Sequence, residues 1–531
     1  MPRRSCLVLW AAALAFVGAA TAFAGPTASA VPDNIRLTWS ESPKTTQTIG
    51  WRTDTTVAVG KVEYFAIGNT PTTVAAPPPE TLATNVGVVN LFSVTLRDLQ
   101  PGTRYVYRVG DGAHWSAYFT FQTEKADPER FEFLVFGDSH EKKPLYTAWG
   151  KTVTQAYRQN PGARFAVNVG DLIYSGKDYA QWQAWFAASQ AVIANIPSVP
   201  VIGDHEPRGV ASKEEWRRPE YFVKFFKVPQ NGPADFKGEI YSFDYGPAHI
   251  VVLNSSFTYE FADLAARKAM IDAEVAWLDA DLAASTKRWK LIAYHDATYN
   301  LRPDRSGTLT KASFGPVIDK HRVDVVFNGH EHAMARSYAM RNGDFMQSTA
   351  EGTVYVISGR SGDNAKESLV PKVWFPYYYD PQAQPCYLVV EVDQDVLTIT
   401  TRLQDGTVVD RFRIDKGKPE RSTPVVPFGA YQEVRFAAFG SLLQFGNPPQ
   451  QNAAGEWFVD INALAAYLSG SFDPGTNVFS FDNGEIKLTL AGDMFLDASK
   501  KMVSLTGLTS VGFYCRFHKA MNLVMVERWK D

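Results

Sequence analysis

The chain has 531 residues, 45% hydrophobic and 21% charged, with a formal net charge of −3. That length exceeds one ordinary core and implies two to four domains. The near-balanced charge argues against a strongly basic face, so no specific nucleic-acid binding is expected.

The N-terminus reads as an export signal. Arg3 and Arg4 precede an apolar, alanine-rich run over residues 7–23, and Ala22-Phe23-Ala24 fits a small-residue cleavage site before Gly25. Residues 1–24 are expected to be removed, giving a secreted, periplasmic or cell-surface protein. An uncleaved anchor is the competing reading, because the run is almost long enough to span a bilayer. No other segment is that apolar. Cys6 lies in the signal; Cys386 and Cys515 stand away from the motifs described below and read as structural thiols, with a disulfide between them open.

Residues 31–125 read as an all-β sandwich. Short alternating runs such as Ile35-Arg36-Leu37-Thr38-Trp39 and Tyr105-Val106-Tyr107-Arg108-Val109 are divided by Gly, Pro and Asn clusters. Trp39 and Trp51 are expected in its core. Pro77-Pro78-Pro79 marks a surface loop.

Residues 128–415 change pattern. Strand-like runs now lead into glycine-containing motifs, and helical stretches such as the one reaching from Ala273 to Leu282 intervene. This is the alternation of an α/β or layered α/β/β/α domain. Pro200 marks its strand as a start or an edge. The runs at Tyr387-Leu388-Val389-Val390 and Leu397-Thr398-Ile399-Thr400 are close enough to form a final antiparallel pair.

A polar, proline-broken linker begins at Lys416, and residues 425–531 read as a small α+β accessory domain. Ile461, Leu464, Ala465 and Leu468 share a helical face, with Gly470 as a stop. Asn483-Gly484 lies between two alternating runs and signals a hairpin.

The chemistry is concentrated in five segments: Gly137-Asp138-Ser139-His140, Gly170-Asp171-Leu172-Ile173-Tyr174, Gly203-Asp204-His205-Glu206, Ala293-Tyr294-His295 and Gly329-His330-Glu331-His332. Singly each is weak, since a Gly-Asp pair is usually a turn and an isolated His usually packs or faces solvent. Together they hold five of nine histidines and enough oxygen and imidazole ligands for two adjacent metal ions. His114, His249, His321 and His518 are left to structure. Ser139 could touch a ligand or simply fit a tight loop, and the aromatic run 374–379 could line a cleft or pack over the sheet.

This set resembles the calcineurin-like metallophosphoesterases, and among them the purple acid phosphatases, over roughly residues 31–415. The stretch from Leu99 to Tyr105 is similar to the tyrosine corner of fibronectin type III sandwiches. The helix beginning near Trp457 and the following hairpin resemble the small N-terminal domain of some copper amine oxidases, which implies attachment or recognition, for example contact with a cell wall or surface, and not amine oxidation.

The metallophosphoesterase resemblance implies a phosphoesterase acting on monoesters or diesters through a metal-activated hydroxide. Asp138, Asp171 and His332 would hold the first metal, and Asp171, Asp204, His295 and His330 the second, with Asp171 bridging. His205 would contact phosphate and protonate the leaving group. The cofactors would be two metal ions: Fe with Zn, Mn or Fe, or two divalent ions. Substrates would be phosphorylated small molecules or nucleotides. A nucleotide phosphodiesterase or nucleotidase is one alternative; a catalytically weak surface-binding protein is another.

The sequence departs from the purple acid phosphatase pattern in three places. His140 stands where Gly is usual, so both His140 and Tyr174 are offered to the first metal; Tyr174 would imply a ferric ion, and His140 two divalent ions. Asp204 replaces the usual Asn and lowers the formal charge of the site by one, which should disfavour a monoester dianion relative to a diester. The further histidines downstream of His295 are missing, and Arg302 and Arg305 are the cations available there for substrate binding.

Overall fold

A computed structural model describes residues 27–142, 145–209, 218–302, 307–366, 369–423, 431–468, 470–481 and 486–528. The expected export signal, Arg305 and the Asn483-Gly484 turn lie outside the described residues. No helix among the described residues is long and apolar enough to cross a membrane.

The N-terminal unit is a sandwich of two four-stranded antiparallel sheets. One runs Asp33–Thr38, Gln47–Thr53, Gly87–Leu96, Glu80–Thr84; the other runs Thr72–Ala75, Lys61–Ala66, Arg104–Gly110, Phe119–Gln122. Inward residues of both, including Ile35, Leu37, Ile49, Val62 and Tyr107, make one core. Trp51 lies in it and stacks on Phe92 with ring centroids 5.2 Å apart. The expected tyrosine corner is present: the Gln100 backbone N–H donates to the Tyr105 hydroxyl at 2.9 Å.

Trp39 corrects one expectation. It packs outside the sandwich core, 5.6 Å from Phe165 and 5.7 Å from both Phe243 and Tyr245. Its edge strand is closed off by the next unit: Arg36 Nε donates to Phe225 O at 2.6 Å and Thr38 Oγ1 to Lys227 O at 2.7 Å. On the opposite sheet Tyr107 donates to Ala194 O at 2.8 Å.

Two mixed sheets form the centre. The six-stranded sheet runs Ser198–Pro200, Ala166–Asn168, Arg130–Phe136, Cys386–Asp393, Val396–Leu403, Val408–Asp415. Its first three strands are parallel and its last three joins antiparallel. Pro200 sits on an edge strand, where its missing N–H breaks no ladder. The eight-stranded sheet carries the parallel strands Ala248–Val252, Trp289–Ala293, Val325–Asn328 and Thr353–Ser358 at its centre. Phe133 and Phe327 meet between the sheets, centroids 6.1 Å apart.

Helices cover the outer faces. Thr147–Gln159 and Tyr179–Ile193 pack through Trp149 and Trp185, stacked at 5.4 Å, with Phe136 edge-on beneath Trp149 at 5.2 Å. The helix Leu264–Ala284 starts where Asp263 accepts the Ala266 N–H at 2.7 Å. It buries Met270, Glu274, Leu278 and Leu282, a four-residue spacing that places all of them on one face. The result is the expected α/β/β/α layering. The aromatic run is structural: Trp374 is buried against Tyr299, and Tyr377–Tyr379 adds a strand beside Met334–Arg341.

The C-terminal region is β-rich. Arg435–Ala438 pairs in parallel with Leu523–Arg528, which pairs antiparallel with Phe513–His518. The helix Ile461–Tyr467 buries Ile461, Leu464 and Ala465. The strands flanking the signalled hairpin, Val478–Phe481 and Ile486–Thr489, pair antiparallel. Cys386 and Cys515 are both free thiols.

Candidate metal centre

The five motifs converge at the C-terminal ends of parallel strands from both sheets, the usual place for ligands in α/β folds. Asp138 follows Arg130–Phe136, Asp171 follows Ala166–Asn168 and Asp204 follows Ser198–Pro200, all in the six-stranded sheet. His295 follows Trp289–Ala293, and His330 and His332 follow Val325–Asn328, in the other.

The chain leaves its strands sharply at these points. Asp138, Asp171, His330 and His332 take left-handed backbone, with φ of 46°, 54°, 71° and 60°. Non-glycine residues adopt that region at a cost and cluster there at functional sites. Close packing of the loops explains the neighbouring glycines: a Cβ on Gly203 would stand 2.3 Å from Asp171 Oδ1, and one on Gly170 2.5 Å from His295 Nδ1.

Two groups of ligand atoms result. Asp138, His140, Asp171 and His332 form one; Asp171, Asp204, His295 and His330 form the other; within each, the atoms lie within 4.8 Å of one another. Asp171 belongs to both. In the first, His332 Nε2 is 3.2 Å from Asp138 Oδ1 and His140 Nδ1 is 3.8 Å from Asp171 Oδ2. In the second, His295 Nε2 is 3.2 Å from Asp171 Oδ1, and His330 Nδ1 is 2.9 Å from Asp204 Oδ1.

The donor set fits metal ions. His140 Nδ1 is a buried ring nitrogen with no hydrogen-bond partner, a costly arrangement unless something else fills that position. Burial, and next to it His205, holds the His140 imidazole well below its usual pKa, in the neutral form that a ligand needs. Burial opposes the charge on Asp171 and Asp204. The imidazoles around them outweigh it, His295 for the one and His330 for the other, and keep both carboxyls below their usual range.

Supporting contacts hold the ligands. His295 Nδ1 is anchored on Val169 O at 2.8 Å and His330 Nε2 faces Asp296 Oδ1 at 3.5 Å. The His330 backbone N–H donates to Asp138 at 3.0 Å. Glu206 accepts the N–H groups of Asp171, Leu172 and Gly203 at 3.0, 2.8 and 2.6 Å. Burial, then the Asp171 charge, pushes its carboxyl up to about 8.

His205 lies beside both groups. Its Nδ1 meets Tyr174 O at 2.5 Å, and its Nε2 is 3.8 Å from Asp171 Oδ2 and 4.0 Å from Asp204 Oδ2. The Tyr174 ring lies 5.9 Å from that of His140, and the Arg208 guanidinium sits over it at 4.6 Å. Arg302 is tied to this end of the sheet through its backbone N–H, which donates to Glu331 at 3.0 Å.

Sequence reasoning passed over Glu206, Glu331, Asn364 and Arg208. The two glutamates sat inside the motifs, beside the candidate ligands His205, His330 and His332, and that adjacency was the available signal. Asn364 carries no local signal. The four histidines assigned to structure each meet an aspartate: His114 with Asp111, His249 with Asp244 and Asp281, His321 with Asp279, His518 with Asp344.

Comparison with known proteins agrees with this geometry. Residues 32–123 match the family model for the purple acid phosphatase N-terminal domain, and residues 131–334 that for calcineurin-like phosphoesterase. The chain is 28% identical over 379 residues to acid phosphatase type 7 of Mus musculus, covering 65% of this chain and 81% of that one. It is 25% identical over 256 residues to Fe(3+)-Zn(2+) purple acid phosphatase 12 of Arabidopsis thaliana, covering 46% and 52%. The purple acid phosphatase PPD1 from yellow lupin (Lupinus luteus) seeds shares the fold with a TM-score of 0.60 at 16% identity, covering 72% of this chain and 74% of that one. With both family domains in order and two metal-ligand groups sharing one carboxylate, the chain belongs to the calcineurin-like metallophosphoesterases, is purple acid phosphatase-like, and is a hydrolase of phosphoric esters.

Proposed function

We propose that this is an exported phosphoesterase whose binuclear centre hydrolyses small phosphate esters, with a preference displaced toward diesters. The observation that carries the reading is the sharing of Asp171 between two ligand groups. Asp138, His140, Asp171 and His332 would hold the first ion, and Asp171, Asp204, His295 and His330 the second. Bound there, two ions would supply Lewis acidity toward the phosphoryl oxygens and lower the pKa of water.

The chain's own residues would do the rest. His205, with Nδ1 anchored on Tyr174 O, turns Nε2 toward the shared carboxylate. From there it would hold a proton for the departing oxygen. Arg302 and Arg305 remain the proposed substrate cations, and Arg208, over Tyr174, joins them on its position. Asp204 adds one carboxylate to the centre and lowers its pull on a dianion.

The position of His140 within the first group, its buried and unpartnered Nδ1 3.8 Å from Asp171 Oδ2, supports the two divalent ions that His140 ligation implies. The metal-loaded protein should then show no tyrosinate-to-iron absorption in the visible.

The deciding experiment is hydrolysis of aryl phosphate monoester and diester by the chelated protein, with Fe, Zn, Mn or Mg restored. Turnover only with metal, and faster on the diester, is the expected result. Absence of turnover with every ion would leave a surface-binding protein as the better reading.

A further inference from the structure

We infer that Asn364 is the positioning residue of the first metal group: its side-chain amide and backbone carbonyl together decide which nitrogen of His140 and of His332 faces the ion. The inference rests on the metal-centre reading above.

Asn364 follows the strand Thr353–Ser358 and is 7% exposed. Its backbone carbonyl accepts from His332 Nδ1, and the other ring nitrogen, Nε2, stands 3.2 Å from Asp138 Oδ1. Its side-chain amide nitrogen Nδ2 lies 2.6 Å from His140 Nε2, and the other ring nitrogen there, Nδ1, is the buried atom without a partner, 3.8 Å from Asp171 Oδ2. One buried residue therefore grips the outer nitrogen of two imidazoles whose inner nitrogens face the two carboxylates of the first group. The rings stand at 80° with centroids 5.1 Å apart, so they approach one point from different directions.

A neutral imidazole carries one N–H, and only the bare nitrogen can ligate. A carbonyl can only accept. The Asn364 carbonyl therefore places the His332 proton on Nδ1 and leaves Nε2 bare. For His140 the amide must present Oδ1 to Nε2–H, which leaves Nδ1 bare. In this structure the amide presents Nδ2 to Nε2 instead, the orientation in which its N–H donates and the His140 proton sits on Nδ1, pointing into the space the ion needs. The two amide orientations differ by a half-turn and occupy nearly the same volume. Metal binding should select the accepting one. Fixing tautomer and ring direction in this way typically changes metal affinity 10–100-fold.

The test uses the full chain, chelated and then titrated with Zn²⁺ or Mn²⁺ by calorimetry, with metal content measured after desalting. Asn364→Leu removes the amide and keeps the backbone carbonyl. It should weaken one of two binding events about 10–100-fold and spare the other. Asn364→Asp can only accept from Nε2–H and should restore both events to near wild-type strength. Denaturant unfolding of the chelated variants checks that each is folded. Two wild-type-like events in Asn364→Leu would overturn the inference, as would loss of the first event in folded Asn364→Asp. A wild-type chain that takes up no metal would sink the metal-centre reading itself, an outcome distinct from selective loss.

Discussion

Asp204 sits at the open side of the centre, its side chain 18% exposed while Asp138 and Asp171 are at 0% and 2%. It can therefore influence an arriving substrate as well as an ion. Asp204→Asn should raise the monoester to diester ratio of kcat/KM several-fold, because it restores one unit of positive charge; an unchanged ratio would remove the electrostatic argument. His205→Asn should lower kcat by roughly 10²–10⁴ on esters with poor leaving groups and much less on activated aryl esters, as loss of a proton donor does. Equal loss on both would assign His205 to binding. Gly203→Ala is expected to impair metal uptake, because its Cβ would meet Asp171 Oδ1 at 2.3 Å.

At the scale of elements, His249 joins the strand Ala248–Val252 to its neighbours. Nδ1 meets Asp244 at 2.8 Å and Nε2 meets Asp281, on the long helix, at 2.8 Å. Lys287 lies 3.6 Å from the same Asp244. Burial alone would lower the His249 pKa; the two aspartates overcome it and raise the imidazole to about 9. A histidine whose folded pKa exceeds its unfolded value of about 6.5 contributes fully below that value. The contribution fades as pH rises toward 9. With discount for the half-exposed Asp244, about 2 kcal/mol should disappear over that window. Denaturant midpoints at pH 6 and pH 9.5 measure it, and His249→Gln should flatten the difference.

For the whole molecule, the sandwich and the catalytic unit are joined by directional contacts as well as by the Trp39 cluster. Tyr107→Phe removes only the hydroxyl that donates to Ala194 O. Loss of such a buried bond should cost about 1–2 kcal/mol, visible in thermal unfolding with kcat little changed. The centre itself ties both sheets of the catalytic unit together through Asp171 and His295. Metal should therefore raise the unfolding temperature, by the equivalent of about 4 kcal/mol at a thousandfold excess over Kd. Asp171→Ala, which touches both groups, should abolish the response.

Much of this molecule is local in the chain. Alternating strands, the apolar stripe of the long helix, the Tyr105 corner and the strand-to-glycine motifs all depend on residues a few positions apart, so periodicity and turn chemistry expose them. The candidate ligand residues stood out for a related reason: they leave their strands in tight turns, four of the five motifs with a glycine, which leaves a mark in sequence. Only tertiary structure decided how these pieces meet. Trp39 reads as a sandwich residue until the second unit covers its edge strand. The proposed choice of His140 over Tyr174 rests on where the side chains converge. Asn364, more than two hundred positions from His140, enters the site through a loop of the opposite sheet. Contacts between distant segments depend on register and packing across sheets, and a single sequence carries no local trace of them.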